Sequence, residues 1–174
     1  PGWASDRAGW HPQARLTGLP AWQEALSSSM SEYVRLMANR AKTPRGTADP
    51  DLSAASRLLT VDPQLEQTPR LAAAAEALAR YEGRFERDLA NSSGGFESLL
   101  DKMALMASWS EISVEDLGEQ IALRDGWPAS KDDIRAFYAA RARAQLASQL
   151  IAASLNAEPD IVVSEAVQTR IDRL

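Results

Sequence analysis

Residues Arg40–Leu59 read RAKTPRGTADPDLSAASRLL. Arg40, Lys42 and Arg45 surround Pro44 and Gly46, and then Asp49 and Asp51 frame Pro50. A phosphate-gripping loop, an acidic metal loop and a joint between two helices all compete for this stretch. A phosphate loop of the usual kind needs a Gly-rich run ending in Gly-Lys-Ser/Thr, which is absent. A calcium loop needs oxygen ligands at fixed spacing, with Gly at the sixth position and Glu at the twelfth, and that is absent too. Helix capping explains both acids, and a solvated linker suits the basic residues. Pro44 cannot extend a preceding helix and Gly46 lets the chain turn. Asp49 suits an N-cap, Pro50 the first helical position, and Asp51 the positive end of the helix dipole. The stretch is therefore read as a joint, and the fold as all-α.

The pattern on either side agrees. Trp22, Leu26, Met30, Tyr33 and Met37 recur at spacings of three and four, which predicts one helix from Pro20 to about Ala41. Leu52–Leu59 is a short helix. Thr68-Pro69 opens a longer one, with Leu71, Ala75, Leu78, Phe85 and Leu89 as its apolar stripe and Asn91–Gly95 as its stop. Arg80, Arg84 and Arg87 interleave with acids there and read as a solvated face. Phe96, Leu99, Leu100, Met103, Met106 and Trp109 mark a strongly apolar helix that is expected to be the most buried, with Leu99, Leu100, Met103 and Met106 inside. Ser113 with Asp116 reads as the cap of a separate helix ending at Gly126-Trp127-Pro128, and Ser130 with Asp133 as the cap of the last long one.

The expected architecture is a single-domain helical bundle of about five or six helices. Residues 1–18 form an irregular leading segment, 19–156 the bundle, and 157–174 a C-terminal segment read as a short helix. A chain of 174 residues supports one such core.

Composition excludes several functions. The net charge is −5 with no basic block, which argues against nucleic-acid binding. There is no cysteine, so disulfides, thiolate metal sites and Cys nucleophiles are ruled out. His11 is the single histidine and sits in no catalytic pattern. No catalytic, cofactor-binding or metal-ligating residue is assigned, and no cofactor is expected. The candidate interaction residues are Trp3, Trp10, His11, Arg40 and Arg45. The two tryptophans suit packing on the bundle, a bilayer surface or a partner contact, and the two arginines suit an anionic group.

The chain also resembles an uncharacterised bacterial membrane-anchored family catalogued as a domain of unknown function. The likeness runs from about Leu19 to Ala153. It is carried by Arg40 with Arg45-Gly46-Thr47, by Asp49, Asp51-Leu52 and Asp62, by Phe96–Leu100, and by Asp132-Asp133 with Phe137-Tyr138. The resemblance implies one N-terminal membrane helix ahead of a helical envelope domain, and no activity. Together with the start at Pro1 rather than Met, it leads to an expectation of a non-enzymatic interaction module. That module sits on the periplasmic face of a bacterial inner membrane, anchored by a helix before residue 1, and has an unknown protein partner. Homo-oligomers are left open. The alternatives are an enzyme or small-ligand binder with an inter-helical pocket, and a cytoplasmic location.

Overall fold

A computed structural model describes residues 3–8, 11–12, 16–122 and 130–157. Five α-helices account for most of them: α1 (Gly18–Arg40), α2 (Pro50–Leu59), α3 (Gln67–Phe85), α4 (Phe96–Ala122) and α5 (Lys131–Ala157), after a 3-10 turn at Ala4–Asp6. No strand occurs among the described residues. The all-α bundle is as the sequence reads. The expectations at Trp10, at Gly126-Trp127-Pro128 and on residues 158–174 lie outside the described residues.

α1 is the spine. On one side α2 packs on it and α3 packs on α2. On the other side α5 packs on it and α4 packs on α5. The core accordingly has two lobes. Val34, Ala38, Leu52, Ala55, Ala77 and Tyr81 close the first, between α1, α2 and α3. Met106, Trp109 and Leu146 close the second, with Leu26, Met30 and Tyr33 of α1 against them.

The tightest face of α1 is made of small residues rather than the large apolar stripe. Ser27, Ser29, Ser31, Val34 and Ala38 are buried, while Trp22, Leu26, Met30, Tyr33 and Met37 are half-buried. Small side chains let α1 and α2 approach closely, and their hydroxyls bond across the gap. Ser27 Oγ donates to the Leu59 carbonyl at 2.6 Å, Ser31 Oγ to Ser56 O at 2.8 Å, and Ser56 Oγ to Ser31 O at 2.9 Å. The buried hydroxyls of Ser27, Ser31 and Ser56 thus each have a partner, which removes most of the cost of burying them.

The joint at 41–49 works as read. Asp49 accepts the N–H groups of Asp51 and Leu52 at 3.0 and 3.1 Å, with Pro50 in the first turn. Two helix ends differ from the sequence reading. α3 stops at Phe85, four residues before Leu89, because Asp88 takes φ +57° and the Leu89 N–H reaches back to the Arg84 carbonyl. That is a left-handed C-terminal cap, with Asp in the place glycine usually takes. α4 runs unbroken through Ser113, whose hydroxyl donates to the Trp109 carbonyl one turn back instead of capping a new helix. The separate helix expected at Ser113 does not exist. The Ser130–Asp133 box does form: Ser130 N–H donates to Asp133 at 2.6 Å and Asp133 N–H to Ser130 Oγ at 3.1 Å.

Two apolar stripes are also corrected. On α3 the buried positions are Ala74, Ala77 and Tyr81, whereas Ala75, Phe85 and Leu89 are exposed. On α4, Met106 and Trp109 are buried as expected of an apolar helix, but Leu100 and Met103 stand about half in solvent, at 50% and 54% exposure.

Candidate interaction surface

The four described candidate residues, Trp3, His11, Arg40 and Arg45, do not form one site. Trp3 is buried at 5% exposure, and its backbone N–H donates to Thr68 Oγ1 at 3.0 Å. Its ring therefore packs on the bundle and presents no face to a bilayer. The described residues next to it are tied to the bundle. Ala4 N–H donates to Gln23 Oε1, and the Asp6 carboxylate accepts the Gln67 and Thr68 N–H groups that open α3. His11 lies beside Arg7, with 3.2 Å between its Nε2 and the guanidinium. Arg40 sits at the far end of α1, about 25 Å of helix from Gln23 at ~1.5 Å per residue. Its guanidinium is held by Asp101 and Glu97 of α4, with Nε donating to Asp101 at 2.7 Å. Arg45 is exposed in the joint.

Sequence reading also underrated Arg84. Its Nη2 donates to both Asp49 oxygens at 2.9 and 2.8 Å, and its Nε to Asp51 at 2.9 Å. Arg80 adds a bond to Asp51 at 3.1 Å. Burial acts against the Arg84 charge, but the Asp49 and Asp51 carboxylates outweigh it and raise its pKa. The arginine face of α3 is thus an inter-helix clamp on the cap of α2. Because Asp49 is 2% exposed and fully bonded by N–H donors, the clamp is closed to a ligand.

Two grooves flank the α4–α5 pair. α1 and α4 meet little, so a wedge of about 380 Å³ opens between them over α5. Its polar groups are largely tied to one another. Trp109 Nε1 donates to Glu32 at 2.7 Å, and Arg143 to Asp116 at 3.2 Å. The other groove, of about 410 Å³, lies on the opposite side and is mostly apolar. Met106, Val114, Leu117 and Phe137 line it, and so does the exposed Arg141.

This second groove belongs to a larger apolar face. On α4, Leu100, Met103, Ala107, Ser110, Val114 and Leu117 follow one another at alternating steps of three and four, the spacing of a coiled-coil seam. All but Leu117 are exposed, with Val114 at 72%. On α5, Phe137 (54%), Ala144 and Ile151 form the matching exposed stripe. The seam that faces Trp109 and Leu146 is a different one on the same helices. α4 is therefore apolar on two faces and buries only one. The signal was present in the sequence, as an apolar arc on α4 too wide for a single contact, but the sequence alone did not tell which side of the arc was inside.

Charge borders the face asymmetrically. Glu111 and Glu115, both exposed, follow the stripe on the side of α4 away from α5. Arg141 borders it on α5. No described helix is long and apolar enough to cross a membrane, and no group of three or more metal-ligating side chains occurs among the described residues. Comparison with protein-family models, with curated proteins and with solved structures finds no match.

Proposed function

We propose that the chain is a helical interaction module that works through the exposed apolar face of α4 and α5. The observation that carries this reading is the double seam on α4. Leu100, Met103, Val114 and Phe137 are half or more exposed and lie on one side of the helix pair. A contiguous apolar face with a polar rim is what protein-binding surfaces look like, whereas scattered exposed apolar residues are ordinary. The envelope location and the membrane anchor implied by the family resemblance belong to the same proposal and rest on that resemblance alone. The acidic balance of the chain supports a protein partner over nucleic acid.

The test is the native size of the protein in cell extract. Wild type is expected to elute in a larger species than the Val114→Lys, Phe137→Lys double variant, because the lysines place charge in the contact without touching the core. Equal elution overturns the reading.

A further inference from the structure

We infer that the occupant of the α4–α5 face is a second copy of this chain, related by a two-fold axis parallel to the two helices. This rests on the reading of that face as an interaction surface, and three observations select the occupant.

The first is pattern. α4 carries an exposed apolar stripe at alternating steps of three and four, and α5 carries Phe137, Ala144 and Ile151 at steps of seven, so two copies stacked face to face complete a four-helix bundle. The second is size. From Leu100 to Leu117 the stripe is ~25 Å long at ~1.5 Å per residue, and two helices of ~10 Å diameter make a face of ~500 Å² in projection. Stable interfaces bury roughly 800 Å² of accessible surface per partner, the same order as this face.

The third is charge. The Asp116–Arg143 bond and the packing of Met106 and Trp109 with Leu146 fix α4 and α5 as antiparallel neighbours. That register puts Arg141 level with the stretch 111–118 of α4. A two-fold axis along the helices preserves axial level and sets α4 of one copy beside α5 of the other. Arg141 then meets Glu111 and Glu115 of the second copy, twice per dimer. Neither these acids nor Arg141 has an ion-pair partner among the described residues. Such an interface is self-complementary, as a two-fold one must be.

The experiment is sedimentation of the purified chain across concentration, with charge exchange. Wild type is expected to reach twice 18.9 kDa. Arg141→Glu, and separately Glu111→Arg with Glu115→Arg, are each expected to weaken association by about tenfold or more. The triple variant carrying all three changes is expected to recover it. All three positions are exposed, so thermal melts should match wild type and exclude misfolding. A wild-type monomer at every concentration overturns the inference, as does a dimer that the exchange neither weakens nor restores. A monomer whose Val114 and Phe137 resist solvent labelling puts another part of the same chain on the face and also overturns it. If the purified chain is monomeric while the lysine variant still changes native size in extract, the two-fold dimer fails and the interaction surface stands. If neither holds, both fail.

Discussion

Asp49 does two jobs that can be separated by substitution. It caps α2 and it neutralises Arg84. Asp49→Asn keeps a side-chain oxygen for the cap but removes the charge. Asp49→Ala removes both. Loss of the cap alone costs about 0.5–2 kcal/mol. Arg84→Ala leaves a buried carboxylate without its cation, which costs about 3 kcal/mol. Denaturant melts should therefore rank Arg84→Ala as more destabilising than a simple cap deletion, and equal effects would mean the clamp contributes nothing. The cap was legible in the sequence because Asp-Pro-Asp before an apolar run is a local signal. The clamp was not, because Arg84 lies 35 residues away and only the packing of α3 on α2 brings it there.

Asp6 gives a pH prediction. Burial acts to raise its pKa, but the Thr68 hydroxyl and the Gln67 and Thr68 N–H groups outweigh this and hold it below the ordinary value of 3.8. A lowered folded-state pKa means that the ionised form stabilises the fold. The contribution is complete above pH 3.8 and is lost as pH falls through the lower folded value. The stability gap between wild type and Asp6→Asn should shrink over that acid range, and a gap unchanged with pH would contradict the cap. Gly18 is equally specific. A Cβ there would lie 2.6 Å from the Tyr138 ring, so Gly18→Ala should cost about 1–3 kcal/mol by forcing α1 and α5 apart.

At the scale of elements, periodicity located the helices well and their inner faces poorly. α1, α2, α3 and α5 begin within two residues of their sequence signals, because capping and proline effects are local. Ser113 misled for the same reason. A Ser three residues before an Asp resembles a cap, yet the apolar flanks of α4 keep the helix running and turn the hydroxyl back to Trp109. Ser113→Ala should therefore leave stability within about 0.5 kcal/mol, where removal of a true cap would cost more. The faces failed where small residues do the packing. Ala74, Ala77 and Ala142 are buried while Phe85 and Phe137 are exposed, since alanine permits close approach and large side chains hold helices apart. Leu100→Ala is expected to cost less than about 1 kcal/mol, since half of the side chain already faces water. Met106→Ala, in the closed core, should cost about 2–5 kcal/mol. A Leu100 cost as large as that of Met106 would return the face to the interior.

The whole molecule reads as two three-helix lobes sharing α1, with one lobe closed by small residues and the other left apolar on its outer side. The fold class was legible from composition and caps. The candidate surface was not, because a single chain shows which residues are apolar but not which of them its own helices cover. Arg40 illustrates the reverse: it looked available in sequence and is tied to Asp101 and Glu97 by the approach of α4. The proposed function requires the α4–α5 face to be covered when the protein works. Site-specific photo-crosslinking in living cells tests it most directly, with a crosslinker at Val114 and, as a control, at Leu89, which is comparably exposed on the far lobe. Discrete protein adducts are expected from position 114 and none from position 89. No adduct at 114, or the same adducts from both positions, would contradict it.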